Sequence, residues 1–352
     1  MTNSTDPTRQ DVSASPHAYE TEHGAAADTP AGHDAPKWLW RSGSLVNWHS
    51  ARVHVNAVGH ASASAIFEGI RAYRAADRDS LLVFRLEDHL RRLYDSARIC
   101  RLDLRHNLPE LSEAVVALLR ANEYRDDAYV RPWAFPSGFI KEQMVPADSP
   151  CEVIVDSWAL DSTLLAPEGC RAAVSSWLRI SESSMPPRVK AFSNYHNGRL
   201  ALLEARENGH DWPVLLNERH KVTEGAGACL ALVRNGQVIT PSLTSGVLEG
   251  LTRATAITLI EEVLGLGVEQ REVDRTELYL ADEIFFLGTA WEILPVLSID
   301  GLRVGDGTPG PVALQLRHEY QQVVRGRSHR YRHWLTEIPA PKAPSPLFPS
   351  NL

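Results

Sequence analysis

The chain has 352 residues, 43% apolar and 23% charged, with 36 Lys and Arg against 44 Asp and Glu and a net charge of −8. That length holds one large domain or two medium ones with real cores, and the composition is that of a globular protein. The acidic balance leaves no surplus of cations for phosphates, which argues against nucleic acid as the main partner, and no apolar run reaches the ~18 residues that span a bilayer.

Residues 1–36 are rich in Ser, Thr, Asp, Ala and Pro, lack a secretory apolar stretch and read as a disordered tail. His17, His23 and His33 lie there without ligand-like spacing, and no metal site is expected. Cys100, Cys151, Cys170 and Cys229 form no CxxC pair and are too sparse for a disulfide scaffold, so a reduced, cytoplasmic protein is expected. Between 37 and 157 strands and helices mix. "SLLVFRLEDHLRRLYDSARICRL" reads as a strand entering a helix, with Leu86, Leu90, Leu93 and Ala97 at spacings of three and four. "LPELSEAVVALLRANE" is a second helix with Leu108, Leu111, Val115, Leu118 and Leu119 on one side, and "DAYVRPWAF" and "CEVIVDSWAL" are strands.

Residues 158–168 carry few order signals and read as an interdomain linker. The second half, 169–338, opens on the strand "CRAAVSSWLRI", and an amphipathic helix is expected after Lys190. A set of short strands follows, with Asn235-Gly236 as a tight hairpin turn. "GLTRATAITLIEEVLGLG" is a helix with Thr252 near its start and Gly265 near its end. A further helix-then-strand passage precedes a last helix running through His333. There the basic residues of "RGRSHRYRHW" (325–334) alternate with aromatics and read as a solvated face. Residues 339–352 form a Pro-rich tail. With no internal repeat, the count points to an α+β protein of two domains, 37–157 and 169–338.

The residues that could carry chemistry are individually ambiguous. Lys190 becomes a covalent catalyst only if its amine can be neutral; an average lysine is a surface charge. Tyr195, five residues on, could donate to a phenolate-like oxygen or sit half-buried in a core. Leu251 and Thr252, after a glycine at a helix start, offer free N–H groups, a hydroxyl and the positive end of a dipole, an anion site unless Thr252 is only a cap. Thr289 and Ala290 in "LGTAWEI" line a site or turn the chain. Glu224 precedes a Gly-Ala-Gly run that is not a dinucleotide fingerprint. Arg92 and Arg131 are anion ligands or plain surface charges.

Taken in order, "FEGIRAY", "FRLEDHLRRLYDSA", "YVRP", "KAFSNYHNGRLALLEA", "TEGAG", "LEGLTR", "LYLADEIFFLGTAWEILPV" and "GPV" resemble the class IV, fold-type IV pyridoxal-phosphate aminotransferases, a D-amino acid aminotransferase-like fold, and most of all their branched-chain amino acid branch. The resemblance runs from about residue 38 to 334. It implies a smaller N-terminal α/β domain, a larger C-terminal domain with pyridoxal 5′-phosphate at their interface, and a homodimer or higher homo-oligomer. Lys190 would be the Schiff-base lysine and proton shuttle, Tyr195 the partner of the cofactor's phenolic oxygen, and Glu224 the partner of its pyridine nitrogen. Arg92, the backbone of Leu251, Thr252 and Thr289 would cradle the phosphate. Phe67, Gly69, Tyr129, Arg131 and Ala290 would line the substrate pocket, Arg131 taking the dicarboxylate. The implied reaction is ping-pong transfer of an amino group between a branched-chain or other hydrophobic L-amino acid and 2-oxoglutarate. Sister activities on this fold are the alternatives: D-amino acid or amine transamination, aminodeoxychorismate lyase chemistry, or an unusual amino acid of specialised metabolism. A catalytically dead binding relative is the reading from another class. Three stretches depart from the branch. Ser62-Ala63 stands where a pocket tyrosine is common, Phe192-Ser193 replaces a Gly-Gly, and Ala228-Cys229 follows the "EGAG" run.

Overall fold

The computed structural model describes residues 35–140, 149–162 and 169–339. The expected tails and most of the expected linker therefore lie outside the described residues. The first half begins with the hairpin β1 (Trp38–Arg41) and β2 (Ser44–Asn47) and a short helix, α1 (Val58–Ala61). Strands β3 (Ile66–Phe67), β4 (Ile70–Arg74) and β5 (Ser80–Phe84) follow, then helices α2 (Leu86–Ile99) and α3 (Leu108–Ala121) and the antiparallel pair β6 (Ala128–Pro136) and β7 (Cys151–Ala159). In α2, Leu86, Leu90, Leu93 and Ala97 are all buried, as their spacing predicts. Each such leucine stabilises the fold by roughly 1.5–3 kcal/mol through the apolar area it removes from water. Helix α3 starts on a capping box between Asn107 and Glu110, which satisfies two backbone donors that the first turn leaves free. Leu111, Val115, Leu118 and Leu119 bury its apolar stripe in the same core as α2.

The second half runs β8 (Cys170–Leu178), α4 (Phe192–Glu207) and β9 (Trp212–Leu216), in which β8 and β9 are parallel and α4 is the crossover. Strands β10 (Val222–Gly225), β11 (Cys229–Arg234) and β12 (Gln237–Pro241) follow. Asn235 and Gly236 join β11 to β12 with φ of 51° and 76°, the left-handed pair that a two-residue hairpin turn needs. Helix α5 (Leu251–Glu262) then crosses to β13 (Val268–Arg271), and a one-turn helix α6 (Arg275–Leu278) leads to the hairpin β14 (Glu283–Gly288) and β15 (Glu292–Ile299). The short β16 (Leu302–Arg303) and helix α7 (Pro311–Val324) come next, and β17 (Leu335–Pro339) ends the described chain. Among the described residues there are two sheets. One has the order β17-β5-β4-β6-β7-β1-β2 with β3 on β6; the other is β10-β9-β8-β15-β14-β11-β12-β13 with β16 on β15. The mixed α+β architecture is the one the sequence predicts.

Three features differ from expectation. The last helix ends at Val324, not His333; a single 3-10 turn at Arg332–Trp334 follows. The basic-aromatic run is not a solvated helix face. Arg325 forks onto Asp127, Tyr331 stacks on Trp334, and Arg330 pairs with Glu262. Second, β17 leaves the second half and pairs antiparallel with β5, closing the edge of the first sheet. Third, α4 is not amphipathic in the ordinary sense. Its buried face is Asn194, Gly198, Ala201 and Ala205, small groups that let the helix lie close on β8 and β9, while Leu203 is 39% exposed.

Candidate active site

Lys190 stands just before α4, but its backbone is tied to the first half. Its N–H donates to Ser96 Oγ at 3.2 Å, its carbonyl accepts from the Phe67 N–H at 2.9 Å, and Ala191 bridges Ile66 of β3. Asn194 donates to the Val189 and Pro186 carbonyls and fixes the approach to the helix. The lysine is 9% exposed, and Nζ donates to Tyr195 Oη at 2.5 Å. Burial alone works against an ammonium here. The charges of Tyr195 and Glu68 outweigh it, against Arg92, and hold Lys190 above the ordinary lysine value. Left to these neighbours the amine is protonated, so it becomes a nucleophile only when a further group takes up its charge.

Two cavities meet at Lys190. The first is bounded by Arg92, Glu224, Leu251, Thr252 and Thr289, all five expected as cofactor contacts. At one end α5 begins on Gly250 without a side-chain cap, so the first N–H groups of the helix have no intrahelical partner. Thr252 is therefore not the N-cap; it lies buried inside the first turn. Arg92 reaches this end from α2, with Nε and Nη2 each 2.7 Å from an oxygen of Glu68 and Nη1 2.6 Å from the Glu249 carbonyl. Glu68 is fully buried. Burial alone would raise its carboxyl, but the charge and hydrogen bonds of Arg92, helped by His89, hold it down at about 2. At the other end Glu224, from β10, accepts from the Leu248 N–H at 3.1 Å and pairs with Arg179 Nη2 at 2.8 Å. Cys229 lies against the same carboxylate, with its thiol pushed up to about 12, first by burial and then by Glu224.

The second cavity is entered past Phe67, Tyr129, Arg131 and Ala290 and shares Lys190, Tyr195 and Thr289 with the first. The Arg131 guanidinium carbon lies 4.6 Å from the Trp158 ring centroid and about 6 Å from those of Phe67, Tyr129 and Phe192. Its Nε is buried without a hydrogen-bond partner, and among the described residues Arg131 makes no ion pair. Gly69 is where the sheet admits Tyr129: a Cβ there would sit 1.7 Å from Tyr129 Oη. Every residue expected at the site thus lines one of the two cavities except Gly69, which backs Tyr129; Ser62 bonds to the Val58 carbonyl and Ser64 Oγ and also lines neither. Phe192, unread from the sequence, stacks on Phe67 at 4.2 Å. Sequence reasoning missed Glu68, Arg179, Trp158 and Trp291. Glu68 stood inside the "FEGIR" motif; Arg179, at the end of β8, carried no local signal. Among the described residues no group of three or more His, Cys, Asp or Glu is placed to hold a metal ion, and no helix is long and apolar enough to cross a membrane.

Residues 65–299 match the family described as Amino-transferase class IV, and the chain belongs to that pyridoxal-phosphate-dependent family and has its two-domain α+β fold. Among its relatives it is similar to a probable branched-chain-amino-acid aminotransferase of Aquifex aeolicus, 38% identical over 298 residues that cover 84% of this chain and 95% of that protein. The structure is similar to that of the branched-chain amino acid aminotransferase of Thermobaculum terrenum in its PLP form, with a TM-score of 0.83, 45% identity, and coverage of 86% of this chain and 99% of that one. A branched-chain amino acid aminotransferase from T.th., complexed with N-(5′-phosphopyridoxyl)-L-glutamate, matches with a TM-score of 0.81, 37% identity, and coverage of 86% and 98%. The first cavity fits the cofactor on chemistry alone. A buried carboxylate closes one end and suits a protonated ring nitrogen. An arginine, two threonine hydroxyls and a helix N-terminus close the other and suit a phosphate monoester, with a buried lysine between them.

Proposed function

We propose that the chain is a branched-chain amino acid aminotransferase, moving the amino group between a branched-chain or other hydrophobic L-amino acid and 2-oxoglutarate by a ping-pong route. The observation that carries this reading is Lys190 Nζ at the junction of the two cavities, 2.5 Å from Tyr195. The names of the relatives point the same way, and so does the glutamate adduct held by the T.th. protein.

Pyridoxal 5′-phosphate supplies an aldehyde that binds amines and a ring that spreads the charge left when the α-proton departs. The other roles belong to the chain. Arg92, the Leu251 and Thr252 N–H groups, and the Thr252 and Thr289 hydroxyls hold the phosphate. Glu68 presets Arg92 for that task, since a guanidinium fixed by two hydrogen bonds cannot swing away. Glu224, held by Arg179 and the Leu248 N–H, keeps a proton on the ring nitrogen. Tyr195 donates to the phenolic oxygen, and Lys190 Nζ takes the proton from the substrate α-carbon and returns it. Phe67, Gly69, Tyr129 and Ala290 shape the wall for the side chain, and Arg131, half-buried among its rings, takes the distal carboxylate of glutamate or 2-oxoglutarate.

The same reading divides the chain into a small domain over 37–157 and a larger one over 169–338, joined by 158–168, with β17 strapped back across the division. It places the protein in the cytoplasm as a homodimer or higher homo-oligomer. Val55 and Phe139, 67% and 54% exposed, are apolar surface that a second copy would cover. The test is direct. Purified protein should absorb visible light, and borohydride should fix the cofactor on Lys190. Leucine, isoleucine and valine should serve as donors to 2-oxoglutarate. A colourless protein, label on another lysine, or activity with D-alanine and none with these three would overturn the reading.

A further inference from the structure

Beneath the turn that joins β14 to β15 lies a polar cluster that lines neither cavity. Glu292 is fully buried and takes φ of +57°, a left-handed backbone that a residue with a side chain adopts only when its surroundings impose it. Tyr73 Oη donates to Glu292 Oε1 at 2.8 Å, and Ser162 Oγ lies 2.9 and 3.0 Å from its two oxygens. Arg71, 1% exposed, puts Nη1 3.9 Å from the same carboxylate. Its terminal nitrogens also reach backbone carbonyls, Nη1 to Leu160 at 3.2 Å and Nη2 to Asp161 at 2.9 Å and to Ala290 at 3.2 Å, while Nε is buried without a partner. The buried Tyr320 of α7 stands beside Tyr73 and Thr252 and carries the cluster toward the first turn of α5.

These contacts converge on three places the proposed reaction needs. Ala290 and Thr289 form the turn shared by the two cavities, Thr252 belongs to the phosphate end, and 160–162 is the crossing between the two halves of the chain. Pinning the Ala290 carbonyl fixes the peptide plane between Ala290 and Trp291, because the amide is planar and trans. The Trp291 N–H is then held on the opposite side, and Ala290 and Trp291 keep one presentation to the substrate cavity.

We propose that Arg71 and Glu292 are positioning residues for the transamination. They touch neither substrate nor cofactor, but together they set the Thr289–Trp291 turn and lock it to the crossing segment 160–162. The proposal rests on the reading above that this turn contacts cofactor and substrate. A cluster with a purely structural task would protect the fold as a whole; a positioning cluster controls one turn and the affinity measured there.

The experiment uses the holoenzyme with Arg71→Lys and Glu292→Gln, followed by hydrogen exchange and by kinetics. Amides over 288–293 should exchange about tenfold faster than in the parent while the visible absorbance of bound cofactor is kept. KM for the amino donor should rise about tenfold with kcat down less than about threefold, the signature of lost ground-state positioning. Unchanged exchange over 288–293, or activity lost only in proportion to lost cofactor with KM intact, would overturn the assignment. If either variant fails to fold, Tyr73→Phe and Ser162→Ala each remove one donor to Glu292 and should shift exchange at the same amides by a smaller factor; no shift in both overturns it equally. A parent enzyme inactive with every amino donor would instead refute the proposed function, and the exchange measurement would still decide the role of the pair in setting the turn.

Discussion

Arg131→Ala should separate the two substrates of the proposed ping-pong transamination. In the parent, the guanidinium lies 4.6 Å over Trp158 with Phe67, Tyr129 and Phe192 close by. Its Nε is buried and unpaired, and the carboxylate opposite it on β7, Asp156, forms no ion pair with it. A distal carboxylate entering this cage meets a half-buried charge that makes no ion pair among the described residues. Removing one partner of a buried, hydrogen-bonded charge pair costs about 2–5 kcal/mol. At about 1.4 kcal/mol per factor of ten, glutamate should lose roughly thirty- to several-thousand-fold in kcat/KM. Leucine, with no distal charge, loses only packing against the rings, a change of a few-fold. The assay is the single-turnover half-reaction, with holoenzyme mixed with glutamate or with leucine and the visible absorbance followed. Arg131→Lys, which keeps the charge but not the planar fork, should fall between. Equal losses for glutamate and leucine would mean that Arg131 only supports the wall, and unchanged glutamate kinetics would place the carboxylate elsewhere.

Glu68→Gln leaves Arg92 buried beside a neutral partner and should lose roughly 3 kcal/mol of stability at neutral pH. Because the folded carboxyl titrates at about 2 rather than its ordinary 4.5, the parent's advantage should be full above about 4.5 and vanish as pH falls through 2. Denaturant titrations at pH 7 and 3 check this, and a difference that ignores pH would contradict it. Gly69→Ala drives a Cβ into Tyr129 Oη and should cost about 1–3 kcal/mol of stability and much of the activity. Adding Tyr129→Phe, which deletes the clashing hydroxyl, should restore part of the stability, and no recovery in thermal unfolding would point to another cause. Phe192→Ala removes the ring stacked on Phe67 and widens the cavity beside Lys190. It should raise kcat/KM for phenylalanine relative to valine about tenfold, the discrimination a pocket gains or loses with one or two methylenes; an unchanged ratio would show that Phe192 does not bound the side-chain pocket.

The helices α2 and α3 were legible because their apolar spacing and capping residues are local signals, and burial followed the spacing residue by residue. Helix α4 was visible as a helix but not as a packing element, since its buried face is made of Asn, Gly and Ala rather than leucines. The end of the chain misled. A basic-aromatic run after a helix looks like more helix until Asp127, 198 residues away, offers Arg325 a carboxylate. The direction of β17 was illegible for a similar reason: five residues pair with whichever sheet edge is free, and the edge lies in β5.

At the site, motif order along the chain identified Lys190, Tyr195, Glu224, Arg92, Thr252 and Thr289, and all line one cavity. These residues occupy places where the chemistry dictates the residue type, so their identity survives in sequence. What holds them does not announce itself. Glu68 aims Arg92 across 24 residues, Arg179 braces Glu224 from the far end of β8, and Arg71 reaches the Ala290 carbonyl across 219 residues. The protonation of Lys190 depends on which charges fold around it, and the cage of Arg131 needs rings from three strands and a helix. The sequence alone determined the class of chemistry and the residues proposed to perform it. Only the tertiary structure decided their charge states, their orientation and the shape of the substrate wall, because these depend on neighbours far apart in the chain and on the low dielectric that burial creates.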